Sequence, residues 1–312
     1  MRRVYETPGT VHLDIRNQSG EVRIETHAAA STEVEIRALS RAAEEQAEST
    51  RVDCRSEGDG HLVLVEVPDL RGGFFGGNDG VAVLVLAPEG ARLDVTVASA
   101  DVRAEGRLGG GTIRSASGDV WWEEAAGDVV VTSASGDVTF GRALAALRVQ
   151  TASGDIEVGS ALNQLTVESQ SGDIELERCE GETRLRWATG DVKVGTAVAT
   201  MDVQTASGDV LVHDALSDCS VETRSGDVMV SIAHQGKVRV GTQSGDVKIG
   251  IAQGSRVAVD AETRSGELQS DIPLSQSAAA DSSDGPLVQL EVSTMSGDVR
   301  VTRARRFLAA SR

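Results

Sequence analysis

Eight aspartates, Asp119, Asp137, Asp155, Asp173, Asp191, Asp209, Asp227 and Asp246, each follow a glycine and recur every 18 residues, with 19 at the last step. Stacked at one repeat per layer, these carboxylates repel by roughly 1 kcal/mol per adjacent pair even in water. Two arrangements relieve that repulsion. Serine hydroxyls and turn amides can hold each carboxylate, or cations can sit between layers, which would make the ladder a calcium-binding element. The calcium-roll nonapeptide G-G-x-G-x-D-x-U-x is absent, and only Ala126-Gly127-Asp128 and Gly181-Glu182 approach a half-period copy.

Other reactive types are scattered. His12, His27, His61, His213 and His234 form no column, which argues against a metal centre. His213-Asp214 is an acid–base pair without a nucleophile or ligand partner, and reads as two exposed turn residues. No catalytic residue and no cofactor are expected. A hydroxyl column, Ser115, Ser133, Thr151, Ser169, Thr205, Thr223, Thr242, Thr263 and Thr294, is interrupted by Trp187. It shares the parity of the inward strand residues, so the expectation is hydroxyls bonding along the stack. Cys179 and Cys219 fall on inward columns, and all three cysteines, with Cys54, read as reduced thiols.

The elements that position these groups follow from the repeat. Glycines 118, 136, 154, 172, 190, 208 and 226 keep the period without a slip, and looser copies stand at Gly245, Gly266 and Gly297. Two residues after the glycine come Val120, Val138, Ile156, Ile174, Val192, Val210 and Val228; four after come Trp122, Phe140, Val158, Leu176, Val194, Val212 and Val230. Apolar residues at period two mark a strand with one buried face. A column of small residues, Ala125, Ala143, Ala161, Cys179 and Ala197, reads as a corner. Beyond it a second strand has inward pairs such as Val129/Val131, Leu147/Val149 and Leu165/Val167. The fold expected is all-β: a two-sided β-solenoid of 18-residue rungs with an N-terminal β-rich capping segment. An antiparallel meander is the rival. It does not require the same residue type in every column, as stacking does.

Residues 1–100 depart from the period and read as a β-rich cap merging into the rod, with strand-like runs near 11–15, 21–24, 33–37, 61–67 and 81–86. Ser40 to Glu48 reads as a short helix with Ser40 as its N-cap. Regular rungs fill 101–273, a polar insertion 274–287 reads as a mobile loop, and 288–312 hold a last rung and a basic tail. Candidate partner-binding residues are Phe74 and Phe75 in a glycine-rich loop, and Arg303, Arg305 and Arg306 in the tail.

A net charge of −18 argues against nucleic acid as a partner, and leaves protein as the expected one. No segment has the apolar length of a membrane-spanning helix, so no membrane insertion is expected; the start, Met1-Arg2-Arg3-Val4, lacks a secretory apolar stretch, so the expected location is cytoplasmic.

The succession Val83-Leu84-Val85-Leu86-Ala87-Pro88, Leu93-Asp94-Val95-Thr96-Val97 and then serial Ser-Gly-Asp-Val rungs resembles a bacterial β-strand-repeat domain of unknown function whose members are often labelled adhesins. The resemblance covers nearly the whole chain. It implies a β-solenoid, a bacterial origin and an association with envelope or stress functions, and it brings no catalytic or binding residues. The function expected is a non-catalytic scaffold or macromolecular interaction module; a calcium-binding module and an end-to-end polymer are the alternatives.

Overall fold

Like residues of successive repeats lie side by side in parallel strands: Val120 beside Val138, Val138 beside Ile156, Trp122 beside Phe140. That register excludes the meander. The computed structural model describes residues 1–69, 80–272 and 285–304, and the chain divides into two compact units, Met1–Gln164 and Leu165–Arg312.

The first unit contains β1 (Arg2–Glu6), β2 (Thr10–Asn17), β3 (Gly20–His27), β4 (Ser31–Ala38), the helix α1 (Glu44–Glu48), β5 (Arg51–Glu57), β6 (Gly60–Glu66), β7 (Val81–Pro88), β8 (Arg92–Val97), β9 (Asp101–Leu108), β10 (Gly110–Ser115), β11 (Val120–Ala125), β12 (Val129–Ser133), β13 (Val138–Ala143), β14 (Leu147–Thr151) and β15 (Ile156–Ala161). Within it, one sheet runs in the order β1-β4-β7-β3-β9-β11-β13-β15 and the facing one β14-β12-β10-β8-β2-β6-β5. Parallel pairing therefore begins well before residue 101. The rungs β2/β3, β6/β7 and β8/β9 belong to the stack, and among the described residues β1, β4 and β5 add to it by antiparallel pairing, covering its edge. Space and sequence disagree here: β2 lies between β6 and β8, and β3 between β7 and β9. Ser40 does not cap α1; a single 3-10 turn, Arg41–Ala43, precedes the helix and the Ser40 hydroxyl makes no capping bond.

The second unit contains β16 (Leu165–Ser171), β17 (Ile174–Cys179), β18 (Thr183–Thr189), β19 (Val192–Ala197), β20 (Met201–Ser207), β21 (Val210–Ala215), β22 (Cys219–Ser225), β23 (Val228–Ala233), β24 (Gly236–Ser244), β25 (Val247–Ile251), β26 (Arg256–Thr263), β27 (Leu268–Ser270), β28 (Leu287–Ser296) and β29 (Val299–Arg303). Within it, all described pairs are parallel, in the orders β17-β19-β21-β23-β25-β29-β27 and β26-β28-β24-β22-β20-β18-β16. The rung that is last in sequence, β28/β29, is not last in the stack: it lies between β24/β25 and β26/β27. Its columns fit both neighbours, Leu290 standing between Val238 and Val259, and Val292 between Val240 and Ala261.

The core is the space between the two sheets of each unit. Val120, Trp122, Val131, Phe140, Val149 and Val158 are almost wholly buried in the first, and Leu176, Val194, Val203, Val212, Val221 and Val230 in the second. Trp122 stacks on Phe140 with ring centres 5.8 Å apart. Burial of such side chains is worth about 1.5–3 kcal/mol each, which is the main stabilisation of a chain poor in aromatics. The turn glycines are required twice over: Gly154 has φ +113°, and a Cβ there would lie 2.3 Å from the Gly136 carbonyl oxygen of the rung before.

Candidate functional site

Each turn places its aspartate under the backbone of the next. In the first unit the Asp119 amide donates to Asp101 Oδ1 (3.0 Å), Asp137 to Asp119 (2.9 Å) and Asp155 to Asp137 (2.8 Å). In the second, Asp191 donates to Asp173, Asp209 to Asp191, Asp227 to Asp209 and Asp246 to Asp227, all at 2.8 Å. The ladder then passes through the inserted rung, from Asp246 Oδ1 to the Asp298 amide and from Asp298 Oδ1 to the Glu267 amide. Charge-assisted bonds of this kind hold a carboxylate and tie adjacent rungs together. Among the described residues, no three His, Cys, Asp or Glu side chains gather as a metal site would require.

The hydroxyl column faces inward and is buried except at Thr263, and its bonds mostly close within a rung; Thr263 alone among the described bonds reaches along the stack, donating to the Gly297 carbonyl of the neighbouring rung at 3.2 Å. Ser133 donates to the Ser135 carbonyl, Thr151 to Ser153, and Ser169 to Ser171, at 2.7–2.9 Å. The carbonyl two residues on lies within reach of a hydroxyl standing perpendicular to the strand, so the bond closes inside the turn. Trp187 keeps the same function with other chemistry: its indole N–H donates to the Gly190 carbonyl at 3.0 Å.

A groove of about 660 Å³ in the first unit is lined by Glu21, Leu39, Asp101, Arg103, Asp119, Trp121, Asp137 and Thr139. Trp121 and Arg103 are outward neighbours on β11 and β9. The Arg103 guanidinium carbon lies 4.6 Å from the indole centre, and its Nε donates to Glu105 Oε1 at 2.6 Å. Leu39, 45% exposed, completes an apolar edge among the carboxylates. Sequence reasoning overlooked this place; the only signal was an indole in an outward column otherwise held by residues such as Thr139, Glu157 and Lys193.

A second groove, of about 690 Å³ in the second unit, is lined by His213, Met229, Ile232, Lys248, Asp271, Arg300 and Arg303 among others. Arg303 turns onto the chain itself, its Nη1 donating to the Ala252 and Ser255 carbonyls at 3.1 and 2.6 Å. Phe74, Phe75, Arg305 and Arg306 lie outside the described residues, as does most of the polar insertion. His213 and Asp214 lie in strand β21, not in a turn, and Asp214 is half-buried. Asp214 joins two imidazoles, Oδ2 to His213 Nδ1 and Oδ1 to His234 Nε2, both at 3.0 Å. Partial burial disfavours ionisation of Asp214, but the bonds from His234 and His213 outweigh it and hold the carboxyl below its usual range. Burial drives the Cys219 thiol the other way, up to about 12, and raises Cys179 and Cys54 as well.

No curated protein matches the chain. Among solved structures, a "putative adhesin" of Bacteroides fragilis NCTC 9343 aligns over 97% of this chain and 96% of its own at 10% identity, with a TM-score of 0.28. A "putative cell adhesion protein" of Clostridium sporogenes ATCC 15579 aligns over 97% and 99% at 8% identity, with a TM-score of 0.24. The model of one family, Toastrack DUF4097, matches residues 10–212 and 141–302, overlapping as a repeat protein allows. With its stacked Ser-Gly-Asp turns and two-sided sheets, the chain belongs to the Toastrack DUF4097 family.

Proposed function

We propose that this protein is a non-catalytic interaction module that binds another protein through the Trp121 groove. One observation carries the reading. The ladder aspartates and most of the column hydroxyls are engaged in holding the turns, whereas Trp121, Arg103 and Leu39 gather outward in a groove rimmed by Glu21, Asp101, Asp119 and Asp137. Tryptophan and arginine are the side chains that most often anchor protein interfaces, and the carboxylates favour a basic segment with an apolar anchor. By the family's adhesin-labelled resemblance, the partner is sought in the bacterial envelope.

The test places a photo-crosslinking residue at Thr139, beside the indole, and at Glu157 on the next strand outside the groove lining, and identifies adducts formed in cells. A discrete adduct from position 139, absent from position 157 and lost on Trp121→Ala, is the expected result. Adducts indifferent to Trp121 would overturn the assignment.

A further inference from the structure

The stack of the second unit ends on β26 and β27, and among the described residues nothing pairs with their outer edges. The consequence is visible in the core columns. Val288, Leu290 and Val292 of β28 are 0%, 1% and 4% exposed, whereas their neighbours Val257, Val259 and Ala261 on β26, and Leu268 on β27, are only half-buried. In the first unit the corresponding edge is covered by antiparallel strands. An uncovered edge with apolar side chains turned along the core is a template for another strand.

The backbone of β26 specifies which strand would fit. The Arg256 amide donates to the Pro286 carbonyl and the Arg264 amide to Thr294, so even-numbered residues face β28. In a parallel pair each residue directs its N–H and C=O to one side, so Val257, Val259, Ala261 and Thr263 present theirs to the open edge. We propose that a second copy of this chain occupies that edge, β26 pairing antiparallel with its counterpart and Val259 facing Val259 across a two-fold axis.

In that register Val257 stands opposite Ala261 of the second copy and Val259 opposite Val259, so the edge-facing groups of these three residues find partners, Thr263 lies beyond the overlap, and the apolar columns run on from one copy into the other. The outward residues fall into non-hydrogen-bonded pairs, where side chains approach closest. There Arg256 meets Glu262 of the second copy, and symmetry repeats the contact. Arg256 holds the Gly285 carbonyl through Nε, which leaves its terminal nitrogens to turn toward a carboxylate. Sliding one step one way sets Asp260 against Asp260 and Arg256 against Arg264; sliding the other way shortens the overlap to Arg256–Asp260. Charge and length therefore select one register. A two-fold pairing closes at two copies and makes a dimer, not a filament.

The test is light scattering over a concentration series of the full chain. Wild type forms a dimer. Arg256→Glu and Glu262→Arg each turn two attractions into two repulsions and raise the dissociation constant roughly tenfold, and the double swap restores it. Val259→Cys gives a disulfide-linked dimer on mild oxidation, which wild type, with its own three cysteines as control, does not. A monomer at all concentrations, growth beyond a dimer, or single swaps without effect would overturn the proposal, as would a dimer in which position 259 fails to cross-link.

Discussion

Replacing Asp209 by Asn separates two opposed contributions of the aspartate ladder. The carboxylate accepts the Asp227 amide at 2.8 Å while its own amide donates to Asp191. A carboxylate acceptor is worth about 1 kcal/mol more than a neutral one, and Asn forfeits that. Against this, Asp209 has a like charge one rung away on each side. At the ~4.8 Å strand spacing the Coulomb cost in water is about 0.9 kcal/mol per neighbour, and Asn removes both. At ~0.01 M salt that relief stays close to ~1.5 kcal/mol, whereas at ~1 M salt screening cuts it to ~0.3 kcal/mol. The substitution should be neutral to slightly stabilising in low salt and destabilising by about 0.7 kcal/mol in high salt, a swing of about 1 kcal/mol. Urea unfolding of Asp209→Asn at the two salt concentrations measures it, with Glu222→Gln, an exposed acid off the ladder, as the control for net charge. If the two variants respond to salt identically, the stacked carboxylates do not interact as described. The same titrations with calcium address the cation alternative: a calcium-dependent gain in wild-type stability that is lost in the Asp191→Asn, Asp209→Asn, Asp227→Asn triple variant would assign the ladder to metal binding.

Three further outcomes are expected. Gly154→Ala should cost more than about 3 kcal/mol, since it adds left-handed strain to a Cβ placed 2.3 Å from a carbonyl oxygen; a loss under 1 kcal/mol on thermal unfolding would contradict the turn geometry. Trp187→Phe keeps most of the volume but strands the Gly190 carbonyl, at a cost of about 1–3 kcal/mol, and Trp187→Ala should lose more through the added cavity. Because the Asp214 carboxyl is held below its usual range in the folded state, its contribution is fully present above the unfolded value and is lost as pH falls through the folded one. The stability difference between wild type and Asp214→Asn should therefore shrink as pH falls below the ordinary aspartate range; a difference unchanged through that range would reject the two-imidazole arrangement.

Most of the regular architecture was legible because each rung contacts only its neighbours. Val120, Val138 and Ile156 occupy one column in the sequence, and stacking turns that column into side-by-side strands. The runs near 11–15, 21–24, 33–37, 61–67 and 81–86 are β2, β3, β4, β6 and β7. The hydroxyl column was read as inward, but the bonding expected along the stack is found at Thr263 while Ser133, Thr151 and Ser169 bond within their own turns, because periodicity reports the facing of a side chain and not which of several nearby carbonyls it reaches. The Trp121 groove was missed for a similar reason. Its members, Leu39, Arg103 and Trp121, come from three separate segments, and each alone is an unremarkable surface residue.

The repeat length, the two inward faces and the turn chemistry are properties of a single rung and were readable in its residues, which also favoured parallel stacking over the meander that the strand register excludes. The order of rungs is visible only in the folded chain, with β2/β3 between β6/β7 and β8/β9, and β28/β29 between β24/β25 and β26/β27. The physical reason is degeneracy. When every rung offers the same apolar columns and the same aspartate to its neighbour, many orders bury similar surface, and the choice falls to which rung can accept partners on both edges and which can be left with one edge open.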